Sequence, residues 1–425
     1  MSELLRSLVE LTPLPRMYRI RQKFDDAKLA DPIGELNAQL ESSPAVAAIS
    51  SGQRVAVAVG SRGVSRVDEL TKATVDSLKR IGAQPFIVPC MGSHGGATAQ
   101  GQTEVLAHLG VDEARMGCPV RSSMEVVELD RLPNGLPVYC DKIAATEADA
   151  IVVINRIKPH TAFRGPIESG LFKMIAIGLG KQKGAEACHQ LGFKYMAENV
   201  PAMARIMIDK LPIRFGVAVV ENAYDQICRV EVLGTDVMEA RERELLVEAK
   251  SRLPKILFPS LDVLVIDYIG KNISGDGMDP NITGRYPTPY ASGGPDITKM
   301  VVLDLTPESK GNANGVGTAD FTTSRLVAMT DWPGTYANGL TSTVCAPTKQ
   351  ATTLADDRDA IKAAIKTSNI LDYTQVKLAR IRDTLHLGEI EVSETLLEEA
   401  KQHPDIEVIA GPHEWEFDDE GYLPK

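Results

Sequence analysis

Short, largely apolar runs recur along this chain, and segments with helical periodicity separate many of them. RVAVAVG (54–60), PFIVPC (85–90), IVVIN (151–155), RFGVAVVEN (214–222), DVLVIDYIG (262–270) and MVVLDL (300–305) are the clearest. Runs this short, rich in β-branched residues and without polar alternation, read as strands buried on both faces, as parallel sheets require. After the first run, Val67, Leu70, Thr74, Leu78 and Ile81 fall at steps of three and four, and Gly82 follows. That pattern predicts an amphipathic helix with a glycine past its end. Another helix is expected to run to His108 and Gly110. Strand and helix alternating through short joints imply a parallel sheet with right-handed crossovers.

At 425 residues the chain exceeds one ordinary core, and LPKILFPS (253–260), with a proline near each end, reads as a domain boundary. Residues 1–50 read as two amphipathic helical pieces around Pro13 and Pro15, packed on the first domain. Pro133-Asn134-Gly135 suggests a hairpin within 117–145, and residues 171–207 look mostly helical. A charged helix should cover 235–250, with Thr235 or Asp236 as its cap. Further helices are expected over 316–330, 354–367 and 393–402, and ICRVEVLG (227–234) and VKLARI (376–381) as strands. The Gly/Pro-rich segment 271–295 reads as a long loop forming a substrate lid or wall, and a loop of that length inside a domain usually serves function.

Charge narrows the classes of function. A net charge of −11 argues against nucleic-acid binding, which needs a basic field, while leaving room for a local anion site. No window reaches the roughly 18 uninterrupted apolar residues of a membrane span, and the charged N-terminus lacks the apolar core of a signal peptide. The six cysteines, at 90, 118, 140, 188, 228 and 345, form no CxxC pair. That disfavours a zinc ribbon or disulfide framework and suits a reducing cytoplasm.

The chemistry-bearing residues gather after strands. Open α/β sheets place ligands beyond the carboxyl ends of their strands. There the chain carries Arg62 in GSRG, His94 in MGSHGG and His160 in RIKPHTAFRG. Gly95 and Gly96 permit close backbone approach and suit an anion at the following helix. Each histidine alone is equally readable as a loop residue bonded to backbone, and Arg62 as a surface turn arginine. Their parallel placement is what points to acid/base work across a substrate. Lys173, in SGLFKMIAIGLG, either snorkels to solvent or is held for covalent attachment. His189, in EACHQ, has no second histidine at helical spacing, so the chain itself makes no conventional zinc site. GDGMDPN (275–281) lacks the ligand spacing of a calcium loop.

Taken together these residues resemble the nickel-dependent lactate racemase family and its 2-hydroxyacid racemase and epimerase relatives, from about Val55 to Ala240. The resemblance rests on Arg62, Gly92-Ser93-His94, Pro159-His160, Ser169 to Lys173, and His189 sixteen residues beyond that lysine. It implies two Rossmann-like α/β domains, 1–255 holding cofactor and catalytic residues and 256–425 closing a substrate cleft between them. It implies nickel in a nickel-pincer nucleotide (pyridinium-3,5-bisthiocarboxylic acid mononucleotide) attached to Lys173, with Ser169, Gly95 and Gly96 beside it and His189 on the metal. His94 and His160 would exchange protons with the substrate hydroxyl, and Arg62 would hold its carboxylate. Lys271 and Arg285 are the candidates from the second domain for that carboxylate. Val59 stands where lactate racemases tend to carry an acidic residue, and 271–295 departs from their loop, so the implied substrate is a small 2-hydroxy acid rather than lactate in particular. The implied setting is cytoplasmic, with cofactor-biosynthesis proteins as partners and neither nucleic acid nor membrane. Two other readings stay open. One is an oxidoreductase using a free dinucleotide, although no G-x-G-x-x-G is present; the other is a non-catalytic ligand- or cofactor-binding relative.

Overall fold

The valine-rich run Arg54–Val59 is buried at every position but the first, and it lies second in a five-stranded sheet. The computed structural model describes residues 3–61 and 63–424. By its internal contacts the chain divides into two compact units, residues 25–253 and residues 1–24 with 254–425. In the first unit the strand order is Gln84–Pro89, Arg54–Val59, Ala150–Arg156, Ile213–Glu221 and Ile227–Gly234. The first four run parallel, and the last is an antiparallel edge. The three inner strands are almost wholly buried, which explains their unbroken apolar sequence.

Helix Val67–Arg80 covers one face by burying Val67, Leu70, Thr74 and Leu78. Asp68 and Glu69 in its first turn and Lys79 and Arg80 in its last complement the helix dipole. Gly82, at φ +81°, lets the chain turn back. Leu70 and Leu78 join Val55, Val57, Val152 and Val217 in one core, each fully buried aliphatic contributing about 1.5–3 kcal/mol. The expected hairpin is present as Val126–Arg131 paired with Pro137–Asp141. Helix Thr235–Ser251 starts one residue early: Gly234 occupies the cap position, with no side-chain bond there, so neither Thr235 nor Asp236 is the cap.

In the second unit an eight-stranded sheet runs Thr352–Leu354, Phe321–Thr323, Asp296–Leu305, Ser260–Ile269, Leu378–Ile381, Glu389–Ser393, Met17–Gln22 and Ile406–His413. Its first five strands are parallel and its last three antiparallel. Two expectations need correcting here. Residues 1–50 hold helices Glu3–Val9 and Pro32–Ser42, but Met17–Gln22 is a strand, so the first 24 residues group with the C-terminal unit rather than with the first domain. Met17, Ile20 and Gln22 point inward, while Arg21 pairs with Glu389 on the neighbouring strand. An irregularity in the pairing between Met17 and Ile20 breaks the strict alternation, so this short arginine-bearing stretch does not read as a strand alone; its partners lie almost 400 residues away. Residues 316–330 are not one helix. A tight turn, Val316–Thr318, precedes strand Phe321–Thr323, and helix Ser324–Met329 starts from a Thr323 hydroxyl that accepts the Leu326 N–H. The hydroxyls of Thr322 and Thr323 donate to Val302 and Leu303 carbonyls of the adjacent strand, which satisfies them inside the sheet.

Candidate functional site

Strand Ala150–Arg156 stays buried through Asn155, a polar side chain that must find a partner there. Its Nδ2 donates to the Gly170 carbonyl at 3.0 Å, fastening the strand end to the start of the Lys173 segment. The intervening loop closes on itself. The Lys158 N–H donates to Ser169 O at 2.8 Å, and the Ser169 N–H donates to Lys158 O at 3.2 Å. Glu168, fully buried, is the hub of that loop. Its carboxylate accepts the N–H groups of His160 at 2.8 Å and Gly165 at 3.2 Å, and pairs with Lys250 at 2.6 Å and Arg164 at 3.4 Å.

His160 is buried against Phe163, with ring centroids 4.5 Å apart, and Phe193 lies 6.0 Å away. Its Nδ1 accepts the Ala162 N–H at 3.0 Å, so the neutral ring carries its proton on Nε2. Burial pushes its pKa well below 6.5, and the charges of Lys173, His189, Lys158 and Arg164 push the same way. His189 sits on helix Lys181–His189 with its ring 5.3 Å from Phe193. Its Nδ1 lies 2.6 Å from the Ala185 carbonyl, which fixes Nδ1 as the donor and puts the lone pair on Nε2. Burial lowers its pKa, the Ala185 bond opposes this, and Lys173 adds to the lowering. Lys173 therefore lies within electrostatic reach of both histidines.

Lys173 ends the short helix Leu171–Lys173, which passes directly into a π-helical turn, Met174–Gly178. Such turns are rare and cluster at functional sites. The His94 loop rests on this turn, since the Gly92 N–H donates to Gly178 O at 3.2 Å. Gly92 has φ +59°, the left-handed region that glycine adopts without strain. His94 is exposed, and its Nδ1 meets the Ser61 hydroxyl at 2.5 Å. Gly95 and Gly96 have φ of +66° and +64°, the left-handed geometry that glycine permits. Arg62 lies outside the described residues.

Lys181, Gln102 and Asp141 hold these pieces in place, and none of the three was given a role from sequence. The Lys181 ammonium is fully buried, donates to Pro89 O at 2.6 Å and to Gln102 Oε1 at 3.1 Å, and pairs with Asp141 at 3.1 Å. Gln102 in turn donates to the carbonyls of Gly92 at 2.9 Å and His94 at 3.3 Å. One lysine at the start of the His189 helix thus braces the loop that carries His94. In sequence it is one of several lysines near Gly180, and nothing local marks it as buried.

The structure thus brings His160, Lys173, His189 and Ser169 into one neighbourhood, with the loop of His94, Gly95 and Gly96 seated on the same π turn. Lys271 and Arg285 belong to the second unit, where both are engaged locally. Lys271 Nζ donates to Gly275 O at 2.7 Å. The Arg285 guanidinium donates to Ile297 O and Thr298 O and pairs with Asp320 at 3.0 Å.

Residues 21–199 match the family model described as the lactate racemase N-terminal domain. No curated protein matches the chain. Among solved structures, the lactate racemase apoprotein from Thermoanaerobacterium thermosaccharolyticum aligns at 13% identity with a TM-score of 0.49, over 85% of this chain and 93% of that one. Among the described residues, no helix is long and apolar enough to cross a membrane.

Proposed function

We propose, from the match of residues 21–199 to the lactate racemase N-terminal domain, that the chain is a racemase or epimerase inverting C2 of a small 2-hydroxy acid. The observation that carries the reading is the convergence of Lys173, His160 and His189 beyond the end of strand Ala150–Arg156, in a setting that holds both imidazoles neutral.

The donor set fits a nickel-pincer nucleotide. No group of three or more His, Cys, Asp or Glu suited to a metal occurs among the described residues. A metal that arrives inside an organic ligand needs only one donor from the protein. His189 offers that donor at Nε2, because Nδ1 is committed to Ala185. Lys173, half-buried beside it, would be the covalent anchor. When bound, that group would supply a reversible acceptor for the C2 hydride.

The chain's own residues would do the rest. His94 and His160 would move the proton of the substrate hydroxyl at its oxygen, one as base and the other as acid in each direction. His160 presents its Nε2–H, which suits a donor to oxygen, and His94 is held by Ser61. Arg62 would grip the carboxylate bidentately and so fix which face of C2 reacts. Phe163 and Phe193 exclude water around His160, which strengthens every polar contact made there.

The test is isotopic. With a C2-deuterated 2-hydroxy acid in ordinary water, inversion should proceed with the label retained at C2. Full exchange of that label with solvent would mean carbanion chemistry and would end the hydride reading.

A further inference from the structure

Helix Leu171–Lys173 begins without a cap of its own. Gly170 occupies the cap position in an extended conformation and has no side chain to accept the first N–H groups. The missing acceptor comes from seventy residues away. Glu242, on helix Thr235–Ser251, is buried with its carboxyl facing this turn. Its Oε2 accepts the Phe172 N–H at 3.1 Å, and the Leu171 N–H also stabilises the charged form. The other oxygen, Oε1, is buried with no hydrogen-bond partner among the described residues. A buried carboxyl with one oxygen unused is costly, and elsewhere in a fold it would be replaced by an apolar side chain.

Gly170 belongs to the same arrangement. A Cβ there would lie 2.3 Å from Glu242 Oε1 and 2.7 Å from Ile157 Cδ1, so only glycine lets the carboxyl come this close. The Gly170 carbonyl in turn accepts from Asn155. The N–H that Glu242 accepts belongs to Phe172, the residue directly before Lys173.

We infer that Glu242 is a positioning residue for Lys173, acting as a cap supplied from another helix, with Gly170 as the gap it fills. The inference rests on the reading of Lys173 as the anchoring lysine, and it states what aims that amine. A displacement of about 1 Å at such a group is enough to spoil its reactivity.

The experiment uses the full chain without cofactor and an amine-directed acylating reagent. The rate of Lys173 modification is followed by peptide mass across pH, relative to the exposed Lys142. Glu242→Ala should change the relative rate at Lys173 by about tenfold and displace its pH profile, the scale of losing one buried hydrogen bond. Glu242→Gln, which keeps an acceptor for Leu171 and Phe172, should restore most of the wild-type behaviour. A folded Glu242→Ala chain with the wild-type Lys173 profile would overturn the inference, as would a Gln variant no closer to wild type than Ala. If Glu242→Ala does not fold, Glu242→Asp is used: one methylene shorter, it should displace the profile in the same direction, and an unchanged profile overturns the inference. Failure of the anchoring reading itself appears differently, as wild-type protein from a cofactor-producing host that carries no adduct on Lys173.

Discussion

The His160 N–H donates to the buried Glu168 carboxylate at 2.8 Å, across a loop whose ends are joined by Lys158 and Ser169. The same carboxylate takes Lys250 at 2.6 Å. Glu168→Ala should therefore release both the His160 backbone and its anchor to helix Thr235–Ser251. The expected loss is about 1–3 kcal/mol, because buried N–H groups are left unpaired while Lys250 can turn to water. Urea unfolding measures it. A loss confined to a few tenths would mean that the loop is held by other contacts.

On the proposed reading, variants at Lys173 and His189 distinguish anchor from ligand. Wild-type protein from a host able to make the cofactor should carry an adduct on the Lys173 peptide together with nickel. Lys173→Ala should lack both, whereas His189→Ala should keep the organic adduct and lose nickel more readily. Intact mass and metal analysis distinguish the two variants, and equal nickel in wild type and His189→Ala would remove His189 from the site.

His94 and His160 should matter in both directions of the reaction. Replacing either is expected to slow inversion by about 10²–10⁴-fold from each enantiomer, since in the proposed mechanism each group would be acid in one direction and base in the other. Initial rates from both enantiomers supply the comparison. A variant impaired from one side alone would contradict a shared proton pair.

Two buried groups should shape stability against pH with opposite signs. His160 has a folded pKa well below 6.5, so its contribution is present above about pH 6.5 and lost as pH falls through the folded value. Glu242 is pushed up from 4.5 to about 8 by burial, with Glu239 adding to the shift and the Leu171 and Phe172 N–H groups opposing it. Its contribution is complete below about pH 4.5 and fades as pH rises through about 8. Denaturation across pH should show Glu242→Gln with a changed slope between about pH 4.5 and 8, and His160→Phe with a changed slope below about pH 6.5. Unchanged slopes would show that these groups titrate alike in the folded and unfolded chain.

Leu70, fully buried in the core beneath helix Val67–Arg80, provides a control remote in role from the chemistry. Leu70→Ala should cost about 2–5 kcal/mol of stability through lost transfer energy and a residual cavity. Thermal or urea unfolding checks it, and a cost below about 1 kcal/mol would mean that the helix does not pack as described.

What was legible in the sequence was local. Arg54–Val59 and Ala150–Arg156 read as strands because burial on both faces leaves no polar alternation, and Val67–Arg80 as a helix because one face alone is apolar. His94, His160, Lys173 and His189 stood out because histidine and lysine are uncommon beside such runs, and their roles came from resemblance rather than spacing. Tertiary structure decided what no local pattern encodes. Met17–Gln22 became a strand through partners at Glu389–Ser393 and Ile406–His413. Glu242 lies in TDVMEARERELLVEAKS, where one carboxylate among many looks like a solvated face, and only the fold turns it onto Leu171 and Phe172. Lys181 is likewise one lysine among several until Pro89, Gln102 and Asp141 close around it. The protonation of the two site imidazoles follows the same rule. It is set by burial, by the Ala162 N–H and the Ala185 carbonyl, and by the charge of Lys173, which are properties of neighbours in space rather than in sequence.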